Sequence, residues 1–340
     1  MQYRALGSTG IKVSTLALGA MNFGAFGNPD HDDSVRIVHA ALDAGINLVD
    51  TADVYSVGES EEIIGKALEG RRDSVVLATK AGNPMSDDPN ETGSSRRWLT
   101  RSVESSLRRL RTDRIDLFQV HRPDWDTSDE ETLSALTDLQ RAGKILHFGS
   151  STFPAHRIVT GRWVAAEKAL SPYVTEQPSY SILMRGIESN VLPVAREYSM
   201  GVIVWSPLGA GWLTGAVTRD GAATNRAKAL PGMFDAGKPG NQAKFDAVDK
   251  LTAIAHDADL TLIQLALGFA TAHTAVTSAI VGPRTMAHLE SQLAAQDVHL
   301  GEETLDRIDE VVAPGTDLAP DDRFETPVPD LTDARLRRRG

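Results

Sequence analysis

Short runs of nearly continuous apolar residues alternate along the chain with longer stretches whose apolar positions recur every three or four residues. The runs are TLALGA (15–20), INLVDT (46–51), SVVLATK (74–80), RIDLFQVH (114–121), ILHFGSS (145–151), YVTEQ (173–177), GVIVWSP (201–207) and AVTSAIVG (275–282). Continuous apolar character suits strands covered on both faces. Between them DDSVRIVHAALDAG (32–45), RRWLTRSVESSLRRL (96–110), DEETLSALTDLQRAG (129–143) and VLPVAREYSMG (191–201) read as amphipathic helices. Several close on the glycine that a helix C-terminus favours. Eight strands separated by helices predict a parallel sheet with βαβ crossovers, and eight repeats fit a closed (β/α)8 TIM barrel better than a doubly wound sheet. YRALGSTGIKVS predicts an N-terminal β-hairpin turning at Gly-Ser-Thr-Gly. The expected organisation is one α/β barrel domain over 1–313 that includes the hairpin, then a C-terminal tail over 314–340. Long loops are expected at the C-terminal face of the barrel, chiefly the Gly/Ala/Asn-rich stretch 214–242 after the seventh strand. The Pro- and Asp-rich stretch 313–330 reads as chain crossing the surface.

One stretch, LTLIQLALGFATAHTAVTSAIVGP (260–283), carries no formal charge and is long enough to span a membrane. Gln264, His273, four threonines and a change to β-branched character after 274 predict a buried helix followed by a buried strand instead. The whole chain has 46 acidic against 35 basic residues, a net charge of −11, which argues against nonspecific nucleic-acid binding. The short basic end ARLRRRG reads as a solvated terminus. There are no cysteines, so disulfides, thiolate nucleophiles and Cys-ligated metals are excluded. The first residues contain no apolar core of leader length, and a cytoplasmic protein is expected. Oligomeric state is not legible.

In a barrel of this type the chemistry sits where the strands end. The second strand ends at Asp50, with Tyr55 in the loop beyond it; the third ends at Lys80 and the fourth at His121. Each alone has a plain reading: Asp50 as a helix cap, Tyr55 as core or rim, Lys80 as a surface cation, His121 as a satisfied loop histidine. Together they bring a carboxylate, a phenol, an ammonium and an imidazole to neighbouring strand ends. A buried acid needs a partner, and Lys80 on the adjacent strand supplies one. A cation beside a phenol makes the phenol a better proton donor, and His121 can orient an oxygen on the substrate.

At these positions the chain resembles the aldo-keto reductases. The resemblance runs from GSTGIKVS to IVGPRT and is carried by DTADVYSVGESEEIIGKAL, ATK and DLFQVHRPD. It implies a metal-free (β/α)8 barrel that reduces aldehydes or ketones with NADPH, Tyr55 being the acid, Asp50 and Lys80 tuning it, and His121 orienting the carbonyl. No G-x-G-x-x-G follows a strand, and GESEEIIGKA lacks P-loop spacing. The resemblance instead implies a cofactor extended across the barrel mouth. Ser151, Thr152 and Gln177 would meet the carboxamide, Trp205 would stack on the ring, and Ser206, Leu208, Gly209 and Leu213 would follow the pyrophosphate. Gly282, Arg284, His288 and Gln292 would meet the adenosine end, where a helix N-terminus and a guanidinium suit the 2′-phosphate of NADPH better than NADH. The chain departs from the family pattern at Thr152, where relatives usually carry Asn, at Trp205 for Tyr, at His288 for Gln, at Ser291 and Gln292 for an acid and Asn, and at Ser56 for Gly.

A substrate pocket is expected from Met21, Phe23, Trp98 and Trp125 together with Tyr55 and the 214–242 loop, an apolar wall suited to a small carbonyl compound. Trp98 has the alternative of packing its helix on the barrel. A rival reading is an NADPH-binding regulatory subunit resembling the potassium-channel β-subunits, which would show an exposed apolar assembly surface. A metal-dependent barrel hydrolase would need His-x-His on the first strand, which TLALGAMNF lacks.

Overall fold

The apolar runs become eight parallel strands hydrogen-bonded in a closed ring. This computed structural model describes residues 1–219, 221–222, 227–228, 230–323 and 326–338. A hairpin of β1 (Tyr3–Ala5) and β2 (Lys12–Ser14) comes first, paired antiparallel with Tyr3 opposite Ser14. The ring then follows chain order: β3 (Leu16–Gly19), β4 (Leu48–Asp50), β5 (Val76–Ala81), β6 (Ile115–Val120), β7 (Ile145–Ser151), β8 (Thr175–Gln177) and β9 (Gly201–Val204). A two-stranded ribbon, β10 (Val217–Thr218) and β11 (Gly221–Ala222), stands apart, and β12 (Ser278–Val281) closes the ring between β9 and β3. The expected (β/α)8 barrel with its N-terminal hairpin is therefore the fold.

The helices covering the ring are α1 (His31–Asp43), α2 (Glu59–Ala67), α3 (Arg96–Arg109), α4 (Asp129–Arg141), α5 (Ala155–Glu167) and α6 (Val191–Glu197). They continue with α7 (Pro239–Asp257), α8 (Leu262–Ala272), α9 (Met286–Leu293) and α10 (Glu302–Val311). Their starts are written in the sequence. Asp30, Ser95, Ser128 and Thr285 each accept a backbone N–H from the first turn, and Thr261 and Gln264 form a reciprocal capping box. The uncharged stretch 260–283 is α8 followed by β12, as expected, and among the described residues no helix is long and apolar enough to cross a membrane.

Two cores result. The large one lies between barrel and helices; the smaller joins Leu6 and Val13 of the hairpin to Ala17, Leu48, Ala78, Leu117 and Ile203 inside the ring. The hairpin thus plugs the N-terminal end of the barrel. Strand side chains alternate with period two, so the positions two residues beyond this apolar layer also face inward. They are Gly19, Asp50, Lys80, Gln119 and Trp205, three of them polar and adjacent in the ring. A sealed apolar floor under a polar layer is the local consequence.

The loop expected over 214–242 is shorter than anticipated, because Pro239 at the first helical position starts α7. Its residues 220, 223–226 and 229 lie outside the described residues. The start of the expected tail lies against the segment after β8: Arg185 N–H donates to Thr316 O at 3.0 Å and Leu318 N–H to Leu183 O at 3.1 Å, while residues 324–325 and 339–340 lie outside the described residues.

Candidate active site

The barrel mouth holds the charged cluster. Lys80 is fully buried, and its Nζ donates to Asp50 Oδ1 at 2.6 Å, to Thr51 O at 2.7 Å and to the Tyr55 hydroxyl at 3.3 Å. Burial works against its charge, but Asp50 and then Tyr55 outweigh burial and leave its pKa above the usual lysine value. The second Asp50 oxygen accepts from Gln177 Nε2 at 2.8 Å and from Gln119 Nε2 at 3.3 Å. The buried carboxylate is thus satisfied on both oxygens, as its burial demands. His121 stands edge-on to the Tyr55 ring, centroids 5.8 Å apart. Burial first, then Lys80 and Arg122, holds the imidazole well below its ordinary pKa, so it is neutral. Asn83 Nδ2 lies 3.2 Å from His121 Nδ1, and an amide donating there leaves Nε2 carrying the proton. The four residues nominated from strand ends therefore meet, the phenol beside the lysine ammonium and edge-on to the imidazole.

The loop that carries Tyr55 is strained. Ser56 and Val57 have φ of 48° and 56°, a left-handed conformation that costs a β-branched residue most. Ser56 is stitched down in compensation, donating to Phe23 O at 3.1 Å and accepting from Phe26 N at 3.2 Å. Thr152 and Ser206, nominated for the cofactor, share the same conformation at φ 59°.

Around the mouth, Ser151 Oγ donates to Gln177 O at 2.9 Å, joining β7 to β8. Gln177 commits its amide N–H groups to Asp50 and to Gln119 Oε1, so its amide oxygen is what it offers a ligand. Ser206 Oγ accepts from Ala210 N at 3.0 Å at the head of the turn containing Leu208, Gly209 and Leu213. Trp205 pairs with Ser179 in an isolated bridge. Gly282 O accepts from Asn22 Nδ2 at 2.6 Å, and a Cβ on Gly282 would meet that amide at 3.3 Å. Arg284 makes no ion pair among the described residues, and His288 lies close enough for its charge to lower the imidazole pKa, after burial. Gln292 is 7% exposed, and its Oε1 is buried without a hydrogen-bond partner. An orphaned acceptor, an uncommitted guanidinium and the capped start of α9 fit a nucleotide phosphate and base.

The nominated pocket wall is dispersed. Met21 is half-buried, but Phe23 is wholly buried in the large core and shows no surface to a cleft. Trp98 sits in the first turn of α3, 5% exposed, with Arg101 over its ring. That is the helix-packing alternative. Trp125 stacks on His156 with Arg157 across its other ring contact.

Sequence reasoning missed Asn83, Gln119, Arg122 and Lys244. Gln119 had a signal, standing two residues before His121 on the inward face. Arg122 Nη1 donates to His121 O and Thr152 Oγ1, each at 2.8 Å, binding two strand ends at the mouth. Lys244 of α7 is 2% exposed, pairs with Asp322 of the tail and lies 4.4 Å from the Trp212 ring centre. With Ser206, Gly209 and Asp322 it lines a small cavity.

Comparison with known proteins now bears on this site. The model of the aldo/keto reductase family matches residues 15–313. The chain belongs to the aldo-keto reductases. It is 36% identical to an uncharacterized oxidoreductase, YrpG of Bacillus subtilis, over 92% of this chain and 96% of the relative. It is 34% identical to a "Probable voltage-gated potassium channel subunit beta" of Arabidopsis thaliana over 92% and 97%. Aldo-keto reductase YhdN of Bacillus subtilis is 39% identical over 65% of this chain and 66% of its own length. Membership supports an oxidoreductase acting on a small carbonyl compound with a nicotinamide cofactor.

Proposed function

We propose that the chain reduces aldehydes or ketones to alcohols with NADPH, Tyr55 giving the proton to the carbonyl oxygen. The observation that carries the reading is the buried Lys80 ammonium, shared between Asp50 at 2.6 Å and the Tyr55 hydroxyl at 3.3 Å. A carbonyl oxygen would sit between the Tyr55 hydroxyl and the protonated Nε2 of neutral His121. His121 orients and polarises it by a hydrogen bond; Tyr55 releases its proton as negative charge grows there. Lys80 stabilises the phenolate left behind, and Asp50, fixed by Gln177 and Gln119, holds Lys80 in place. NADPH, when bound, supplies the hydride to the carbonyl carbon.

The residues proposed to hold the cofactor are Ser151, Thr152, Gln177 and Trp205 at the nicotinamide, Ser206, Leu208, Gly209 and Leu213 along the pyrophosphate, and Gly282, Arg284, His288 and Gln292 at the adenosine end. The unpaired Arg284 is the reason for choosing NADPH over NADH. We read 1–313 as one domain and 314–340 as a tail, in keeping with a family match that ends at 313.

A second reading is a cofactor-binding regulatory subunit, kept because a relative covering nearly the whole chain bears a channel-subunit name. One experiment separates them. The purified chain is mixed with 4-nitrobenzaldehyde and NADPH, or NADH, and loss of reduced-nicotinamide absorbance is followed beside Tyr55→Phe. Turnover that falls by roughly 10²- to 10⁴-fold in Tyr55→Phe, with cofactor still bound, supports the reductase. Tight cofactor binding without turnover by the unmodified chain would turn the reading to the regulatory subunit.

A further inference from the structure

Asp53 stands two residues before Tyr55, in the turn that leaves β4, and is 1% exposed. Its backbone N–H donates to Lys80 O at 3.0 Å, which ties the turn to the strand carrying the buried cation. Both carboxyl oxygens are sealed from solvent and neither has a side-chain or backbone partner at full hydrogen-bonding geometry, although the adjacent Val54 N–H still favours the charged form. Buried polar atoms are nearly always satisfied, and an unsatisfied carboxylate is the most expensive exception.

Three charged groups face it. Glu61 of α2 is itself fully buried, with one oxygen held by Thr79 Oγ1 at 2.6 Å and the other by Arg109 Nε at 2.7 Å. Arg109 of α3 is therefore committed to Glu61, and Lys80 of β5 to Asp50. Burial, reinforced by Glu61, pushes the Asp53 carboxyl up to about 8, against the pull of Arg109, the Val54 N–H and Lys80.

We propose that Asp53, buried and unpartnered in the turn of Tyr55, is a positioning residue of the proton relay that leaves Lys80 facing one carboxylate, Asp50, rather than two. This rests on the reading of Tyr55 as the group that exchanges a proton with substrate. Once Asp53 ionises, a second negative charge enters from the turn of Tyr55 itself. A like charge disfavours the phenolate, so the relay resists giving up its proton. The sequence offers DTADVY as one acidic turn; the structure divides its two acids into a paired anion and an unpaired neutral acid.

The test uses the full chain with bound cofactor. Alcohol oxidation needs Tyr55 as phenolate, so its rate is followed against pH in the unmodified chain and in Asp53→Asn. The profiles should coincide below about pH 7, where the acid is already neutral. Above pH 8 the variant should lead by about one pH unit, up to roughly tenfold in rate at fixed pH. Infrared difference spectra of the unmodified chain, read without turnover, should show a protonated carboxyl band at pH 7 that Asp53→Asn lacks. If the variant does not fold, the same titration is read by carboxyl ¹³C NMR of Asp-labelled unmodified chain. Coincident profiles across the range, or a carboxyl already ionised at pH 6, would overturn the proposal. Turnover surviving in Tyr55→Phe would instead sink the reading of Tyr55 and leave the state of Asp53 to the spectra.

Discussion

Asp50 shows what decides the chemistry of a single side chain here. It is as deeply buried as Asp53, yet Lys80, Gln177 and Gln119 supply its two oxygens with three donors. Replacing Lys80 by Met should therefore do two separable things. Leaving Asp50 without its cation should cost stability on the order of 3–5 kcal/mol, measured by urea unfolding. Removing the charge beside Tyr55 should cut turnover by about 10²-fold or more. The double variant Asp50→Asn, Lys80→Met should recover most of the stability and none of the turnover; joint recovery would argue that Lys80 only holds the fold. The tetrad itself was legible because strand ends in a parallel barrel converge. Asn83 and Arg122 were not, because both act from loops whose path the apolar pattern leaves open.

At the scale of elements, strand and helix positions were readable from period and caps, as α8 and its Thr261 capping box illustrate. What was not readable is which distant segment completes which. Nothing in the sequence marks Lys244, yet the tail brings Asp322 to it and the lysine is closed from water. Burial lowers the lysine pKa and Asp322 only partly restores it. The pair is expected to behave asymmetrically. Asp322→Ala strands a buried cation and should destabilise by roughly 3–5 kcal/mol. Lys244→Met leaves an acid that already reaches solvent on one side and can turn to water, and should cost much less. Equal costs in thermal or urea unfolding would contradict burial as the cause. Phe23, wholly buried in the large core, shows the same limit: aromatic side chains near a mouth are as useful to packing as to recognition, and only the fold assigns them.

For the molecule as a whole, two buried acids make stability depend on pH above neutrality. Burial pushes Asp53 up to about 8 and Glu176 up to about 7, in the second case against hydrogen bonds from Ser150 and the Phe153 N–H. The folded chain then keeps protons that the unfolded chain releases near pH 4. Stability falls as pH rises from there through the folded values, by up to about 1.4 kcal/mol per unit for each group. Below pH 7 the buried histidines, His121 above all, oppose this trend, because the unfolded chain binds protons that they refuse. Calorimetry should therefore show Tm decreasing from pH 7 to 8.5, and less steeply in Asp53→Asn. An equal slope in the variant over that interval would show that Asp53 is ionised in the fold.

The ring closes by pairing Ala279 with Leu16 and Ser278 with Ile203. Of the ring strands, translation delivers β3 first and β12 last, so β3 emerges from the ribosome long before its second neighbour exists. Throughout synthesis the nascent chain carries an open sheet edge that cannot be covered locally. Cells making this protein in quantity should therefore load it onto chaperones late in elongation, and a stall before residue 278 should leave a species that aggregates rather than one that waits.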